Sequence, residues 1–381
     1  MEKKMELGER LIEYFKWFHK NPELSYEEYR TTDKIREILT KAGVEILPCK
    51  LETGLVAVVR GKQEGPVQAL RCDIDALPIT EETGLSYASC QSGKMHACGH
   101  DFHIVSGIGC ALGLQERREE LAGTVKIIFQ PGEESSLGAL KILETDVMDD
   151  VEMIWGIHAD PTNEVGMLGI REGYVSAAVD RFVITVDGVG CHGAHPDDGV
   201  DPILTAAAIV QALQSVVTRN VNAFQPALLS VTRIEAGNTW NVIPEKAVME
   251  GTVRTMNRED RILFEKRVRE IAQNTALAYG AKAAVEWIAG CPATYNDEEM
   301  VRKSIRIANQ CNMKVVPEES SMGGDDFSFL EEKIPGCYIK VGTGKGQAIH
   351  QPGFMVDEGS ILPTVIYLKE LFLANKIKEN G

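Results

Sequence analysis

Residues 124 to 134 read Thr-Val-Lys-Ile-Ile-Phe-Gln-Pro-Gly-Glu-Glu. The run 124–129 has the apolar, β-branched character of a strand, and Pro131-Gly132 ends it in a loop. Adjacent glutamates usually sit on a solvated helix face; here Glu133 and Glu134 directly follow an apolar strand. Helical patterns at 104–119 and 137–144 flank the run, and further β-type runs stand at 54–60, 67–74, 152–157 and 164–170. Strands alternating with helices predict a mostly parallel or mixed sheet with helices packed on its faces.

Upstream, Leu7, Leu11, Ile12, Phe15 and Phe18 recur at helical spacing. A second helix is expected after them, capped by Ser25 with Glu28 in a capping box and stopped by Gly43. Downstream, the rhythm changes near residue 178. A strand at 181–187, a helix at 202–218, strands at 228–235 and 247–254, a helix at 259–279 and a strand at 281–288 follow in turn. That β-α-β-β-α-β order is the split βαβ pattern of a ferredoxin-like domain. After Cys291-Pro292 the first rhythm resumes and ends in a helix over 361–374. The expected fold class is α/β: a larger domain of 1–178 and 291–381 with a central mixed sheet flanked by helices, and an inserted ferredoxin-like domain of 179–290. Two domains suit a chain of 381 residues.

A formal charge of −16 and no long basic run argue against nucleic-acid binding, which needs clustered Lys and Arg. No uninterrupted apolar run of about 20 residues appears, so no membrane span is expected. The charged N-terminus lacks the apolar stretch of a secretory signal, and the expectation is a cytoplasmic protein. Nine scattered cysteines without a CxxC pair are read as reduced thiols.

The candidate chemistry gathers at strand ends and helix starts, where ligands collect in open α/β sheets. Asp73 and Asp75 close the run 67–74; Cys98, His100 and His103 lie before or within the start of the 104–119 helix. Glu133 and Glu134 follow 124–129, His158 ends the strand Met-Ile-Trp-Gly-Ile, and His350 ends a glycine-rich loop. A thiolate, imidazoles and paired carboxylates are the groups that bind transition metals and activate water. Each alone has an ordinary structural explanation, as a cap, a turn residue or a core hydrogen-bonder; their joint placement requires many coincidences.

The carrying segments are Asp73-Ile-Asp-Ala-Leu-Pro-Ile, Met95 to Asp101 with His103, Gln130-Pro-Gly-Glu-Glu, Gly156-Ile-His, Asn241-Val-Ile-Pro, Gly251-Thr-Val-Arg-Thr, Asp325-Asp-Phe-Ser and His350-Gln-Pro-Gly-Phe. In these the chain resembles the amidohydrolase branch of the aminoacylase and carboxypeptidase-like dinuclear metallopeptidases. That branch includes hippurate hydrolases, N-acetyl-diaminopimelate deacetylases and hydrolases of auxin–amino acid conjugates. The resemblance spans essentially the whole chain in order. It implies two divalent metal ions (Zn, Mn, Co or Ni) on Cys98, His100, Glu134, His158 and His350, with the thiolate bridging. It implies Glu133 as the general base, taking a proton from the metal-activated water, and Asp75 as the carboxylate that orients a ligand from behind. His103 stands between such an orienting role and simple helix packing, and His96 is expected to be structural. Asp73 stands where carboxypeptidase relatives carry a metal-binding histidine.

The inserted domain is implied to be a closing lid. His192 matches a histidine that reaches the reacting carbonyl, sometimes from a partner subunit, and Asn241 and Arg254 match residues that hold the substrate near its carboxylate. Arg254 could instead make a surface salt bridge. The branch usually has a histidine after the proline that follows His195 and a lysine at position 189, where this chain has Asp197 and Val189. The implied reaction is hydrolysis of the amide of a small N-acyl-amino acid in a homodimer paired through the lid. The rivals are a dipeptidase or carboxypeptidase-type hydrolase, a catalytically idle ligand-binding relative, and a redox role for the cysteines.

Overall fold

The computed structural model describes residues 2–344 and 346–374; residues 1, 345 and 375–381 of the predicted larger domain lie outside them. The chain divides into two compact units. The first is built from the described residues of Met1–Val175, Tyr295–Glu319 and Asp325–Gly381. Among the described residues its sheet has eight strands. Their order across the sheet is Glu45–Ile46, Leu55–Arg60, Ala122–Gln130, Gln63–Asp73, Met153–Asp160, Gly336–Gly342, Met167–Ile170 and Lys314–Pro317.

The four central strands, Ala122–Gln130, Gln63–Asp73, Met153–Asp160 and Gly336–Gly342, are mutually parallel, while antiparallel neighbours on both sides make the sheet mixed. Parallel strands are covered on both faces, so they read as continuous apolar runs. On one face pack the helices Tyr29–Lys41, His100–Glu116, Glu298–Gln310 and Ile361–Leu373, around Phe15, Phe18, Phe102, Phe129, Trp155 and Phe372. The opposite face is closed by Gly138–Leu143 and Phe327–Glu331, around Ile128, Ile154, Phe327 and Leu330. The helix His100–Glu116 is buried from His100 through Leu114, as a helix apolar on all sides must be.

Parallel alignment has one consequence for function. It brings the carboxyl ends Asp73, Gln130, Asp160 and Gly342 to the same edge of the sheet. Every candidate ligand sits at the end of one of these strands or in the segment that follows it.

The capping box expected at the second helix does not form. The helix begins at Tyr29 with Glu28 as its N-cap, but the Glu28 side chain bonds no amide there; the Arg30 and Thr31 N–H groups donate to the Glu23 carboxylate at 3.2 and 2.8 Å. Ser25 and Glu28 make long-range bonds instead, described below.

The second unit comprises Ser176–Thr294 and Ser320–Gly324. Its strands lie in the order Ala227–Ala236, Lys246–Thr255, Ala178–Asp187, Lys282–Ala289, all antiparallel. The helices Pro202–Asn220 and Arg258–Ala278 supply the other half of its core, around Phe182, Ile209, Leu213, Phe264 and Val268. Asp201 caps the first through the amides of Ile203 and Leu204, with Pro202 at the position where a missing N–H costs nothing. Asn257 caps the second through Asp260. A two-residue ladder joins Cys191–His192 to Val242–Ile243.

Candidate metal centre

Cys98 lies in the loop that enters the helix His100–Glu116, and Gly99 makes the turn between them. Gly99 has φ +84°, and a Cβ there would stand 2.6 Å from the Ala159 Cβ. Only glycine lets Cys98 and His100 project from adjacent positions beside the end of the strand Met153–Asp160. The Cys98 Sγ is 3.4 Å from His158 Nε2 and 3.3 Å from His350 Nε2. His350 adopts φ +63°, an uncommon conformation for a residue with a side chain, and its backbone N–H donates to the Ala97 carbonyl at 2.8 Å.

The structure brings the five predicted ligands together as two triads. Cys98, His100 and His158 form one, and Cys98, Glu134 and His350 form the other; within each, the ligating atoms lie within 4.8 Å of one another. Cys98 belongs to both. Two of the imidazoles have their other nitrogen occupied. His100 Nδ1 meets the Asp75 backbone carbonyl at 2.9 Å and an Asp75 carboxylate oxygen at 3.2 Å. His158 Nδ1 donates to the Ala159 carbonyl at 2.8 Å.

Asp75 is a hub. Its two carboxylate oxygens receive His100, the Ser25 hydroxyl at 2.7 Å, and the backbone N–H groups of Glu133 and Glu134 at 3.1 and 3.0 Å. One buried carboxylate therefore sets both an imidazole and the loop that carries the paired glutamates.

A divalent cation fits this donor set on three observations. His100 Nε2 and Glu134 Oε1 are buried with no hydrogen-bond partner among the described residues. Unsatisfied buried polar atoms are rare and point to a missing ion or water. Burial pushes the Cys98 thiol well up, and burial with the Asp75 carboxylate pushes Glu134 up to about 7. These groups thus lack the positive charge that would keep them ionised. Burial pulls His158 down to about 4 and also lowers His350, leaving these two imidazoles neutral as ligation requires. At His100 burial is outweighed by the acidic neighbours Asp73, Asp75 and Cys98, which push the pKa up. A thiolate with imidazoles selects Zn, Mn, Co or Ni over Mg or Ca.

Glu133, 13% exposed, approaches His100 Nε2 at 4.0 Å. Burial, then the carboxylates of Asp325 and Asp326, raise its pKa well above the usual range. Behind it, Arg71 is fully buried and meets Asp73 at 2.5 Å, Asp326 at 2.6 Å and Asp325 at 3.2 Å. Asp326 also accepts from Gln130 and the Ala139 N–H, and Asp325 accepts from the Tyr338 hydroxyl and the Phe327 N–H. These two aspartates are held by protein donors. The same holds for His103, whose Nδ1 bonds Asp73 and whose Nε2 accepts the Ala159 N–H at 2.8 Å. With both nitrogens used, His103 is not free to ligate; it anchors the backbone immediately after His158.

His96 is buried, and neither ring nitrogen has a partner among the described residues; burial pulls its pKa down to about 4. The predicted substrate contacts lie in the second unit. Exposed His192 accepts the Ala194 N–H on Nδ1 at 3.0 Å, and the Asn241 carbonyl accepts from the Gly193 N–H at 2.8 Å. Arg254, half-buried, sits opposite Val179 and Leu228. Burial lowers its pKa, and it makes no ion pair with a carboxylate among the described residues.

Sequence reasoning missed three supports of the site. Arg71 announces itself as a charge inside an apolar strand run. His19, bonded through Nδ1 to Asp101 at 2.7 Å and Nε2 to Glu81 at 3.1 Å, has no local signal, nor does the pair Ser25 and Glu28.

The model of peptidase family M20/M25/M40 matches residues 69–374. N-acetylcysteine deacetylase of Bacillus subtilis is 45% identical over 363 residues, 95% of this chain and 96% of that protein. A second Bacillus subtilis protein, N-acetyl-L-cysteine deacetylase, is 42% identical over 96% of this chain and 88% of its own length. The crystal structure of a dinuclear metal-binding peptidase of the M20 family from Bacillus subtilis superposes with a TM-score of 0.89 at 42% identity, covering 97% of this chain and 98% of that one. Matched over most of its length and carrying a donor set of this chemistry, the chain belongs to peptidase family M20/M25/M40 and is a metal-dependent amide hydrolase.

Proposed function

We propose that the protein hydrolyses the amide bond of small N-acyl-amino acids, using two divalent ions held by Cys98, His100, Glu134, His158 and His350 and Glu133 as general base. The observation that carries this is the sharing of Cys98 between two donor triads, with the Glu133 carboxylate beside them, 4.0 Å from His100 Nε2. The deacetylase names of the two similar Bacillus proteins support an acyl-amino acid rather than a longer peptide.

When bound, the ions supply Lewis acidity toward the scissile carbonyl and the attacking water. The remaining work falls to the chain. Glu133 takes a proton from the water as its oxygen adds to the carbonyl carbon. It then delivers that proton to the nitrogen as the C–N bond breaks, releasing a carboxylic acid and an amino acid. Its surroundings raise its proton affinity, as this task requires. Asp75 holds His100 and the glutamate loop in register, and His103 holds the segment after His158.

The stretch 179–290, which falls within the second unit, is read as a ferredoxin-like lid, and 1–178 with 291–381 as the catalytic domain. His192 serves the reacting carbonyl, and Asn241 and Arg254 hold the substrate carboxylate, for which a guanidinium with no carboxylate partner among the described residues is suited. Pairing into a homodimer is assigned to the same unit. Among the described residues its edge strand Ala227–Ala236 leaves one side unpaired, and Ile203, Leu204 and Ile234 are exposed.

Turnover of N-acetyl-amino acids, N-benzoyl-amino acids and free dipeptides by protein loaded with Zn, Mn, Co or Ni tests the substrate class. Acyl-amino acids should be hydrolysed at least about tenfold faster, by kcat/KM, than dipeptides, a difference of about 1.4 kcal/mol in transition-state binding. Equal or faster dipeptide turnover would move the reading to a dipeptidase.

A further inference from the structure

Ser25 and Glu28 match a helix-capping pattern, yet neither side chain caps the helix that follows. Glu28 and the intervening Tyr26 reach the segment that carries Glu133 and Glu134, and Ser25 reaches it through Asp75. Glu28 is completely buried. One of its oxygens accepts the Gly132 N–H at 2.8 Å, and the other accepts the Thr53 hydroxyl at 2.7 Å. On the other side of the same residue, the Ser135 hydroxyl donates to the Gly132 carbonyl at 2.7 Å. Tyr26 Oη stands 2.8 Å from that serine oxygen, whose hydrogen is already committed, so Tyr26 is the donor. Ser25 donates to Asp75, which receives the N–H groups of Glu133 and Glu134.

The backbone shows how closely this bracket is seated. Gly132 lies at φ +66°, and a Cβ there would stand 2.5 Å from the Tyr26 ring. Tyr26 itself adopts φ +65°, a left-handed conformation that costs a residue with a side chain on the order of 1–2 kcal/mol. The segment is anchored beside the hub by the Ala76 N–H donating to the Glu23 carbonyl at 2.8 Å. The N–H of Gly132, the residue directly before Glu133, is therefore held by Glu28, and its carbonyl by Ser135, which Tyr26 holds in turn; Glu28 and Tyr26 both lie more than a hundred positions earlier.

We infer that residues 25–28 are a positioning bracket for the general base, with Glu28 its principal member, acting on Glu133 through Gly132. The inference rests on Glu133 being the base, and the test separates the two. Glu28→Ala removes both bonds. Glu28→Gln keeps an oxygen for the Gly132 N–H and offers an amide to the Thr53 hydroxyl. Displacing a catalytic group by about 1 Å costs up to roughly a hundredfold in rate.

With metal content matched to the parent, Glu28→Ala should lower kcat by roughly ten- to a hundredfold while KM stays within about twofold. Glu28→Gln should recover kcat to within a few-fold of the parent. In a Glu133→Gln background, Glu28→Ala should add almost nothing, since a residue acting through another is not additive with it. The bracket is overturned if Glu28→Ala has parental kcat, if its loss disappears on restoring metal, or if the loss persists in full in the Glu133→Gln background. If Glu133→Gln itself retains parental turnover, the base assignment fails instead. Should Glu28→Ala not fold, Tyr26→Phe carries the test: it deletes only the bond to Ser135 and should lower kcat several-fold on the same pattern. A parental kcat for Tyr26→Phe would then overturn the bracket.

Discussion

Cys98 stands within 3.4 Å of two imidazoles that belong to different triads, so its sulfur is the one donor whose removal touches both. Cys98→Ala removes from both triads the donor they share, leaving His100 and Glu134, 3.9 Å apart, as the nearest link between them. The bound metal should fall from two ions per chain to one or none, with kcat falling in parallel. Metal analysis after gel filtration checks this, and retention of two ions would show that the sulfur bridges nothing. The ligand types at this residue scale were legible because each carries its chemistry in its identity and each follows an apolar run. The partners that orient them were not. Asp75 is held from positions 25, 100, 133 and 134, and no local pattern encodes contacts across such separations. Ser25 and Glu28 show the converse: their spacing is that of a capping box, yet the side chains are drawn to Asp75, Thr53 and Gly132 instead.

Elements were more legible than side-chain partners. The strand expected at 124–129 is Ala122–Gln130, and the helix expected at 259–279 is Arg258–Ala278. Hydrophobic periodicity is local and survives into the fold. The two-residue ladder of Cys191–His192 with Val242–Ile243 was not readable, because so short a strand has no period. Among connections, the turn at Gly99 is tightly constrained, since it combines φ +84° with the 2.6 Å approach to Ala159. Gly99→Ala should destabilise the protein by about 1–3 kcal/mol, through left-handed strain and overpacking, and weaken metal retention. Thermal unfolding with metal analysis checks this; an unchanged Tm with two ions bound would mean the turn has room to adjust.

On the scale of the whole molecule, the site is supported by charge buried well behind it. His19 ties the helix Glu2–Lys20 to Asp101 and to Glu81. Burial alone would lower its pKa, but the hydrogen bonds and charges of Asp101 and Glu81 outweigh that and push it up to about 10, while Glu81 falls to about 2. A group whose pKa is raised on folding adds stability that is complete below its unfolded value of 6.5 and is lost as pH climbs toward 10. The Tm should therefore decline between pH 6.5 and 10, and His19→Gln, which cannot titrate, should flatten that decline. An identical slope in the variant would show that the triad is not the source. Arg71 does comparable work for Asp73, Asp325 and Asp326 beneath Glu133. A charge buried without its partner costs several kcal/mol, so this network stands or falls as a unit.

The account depends above all on Glu133 being a base rather than a ligand. Glu133→Gln, loaded with the metal that best supports the parent, should bind two ions and lose turnover of an N-acetyl-amino acid by roughly a thousandfold, within the span attributed to general acid–base catalysis. Parental turnover in that variant, or loss of an ion with the carboxylate, would contradict it.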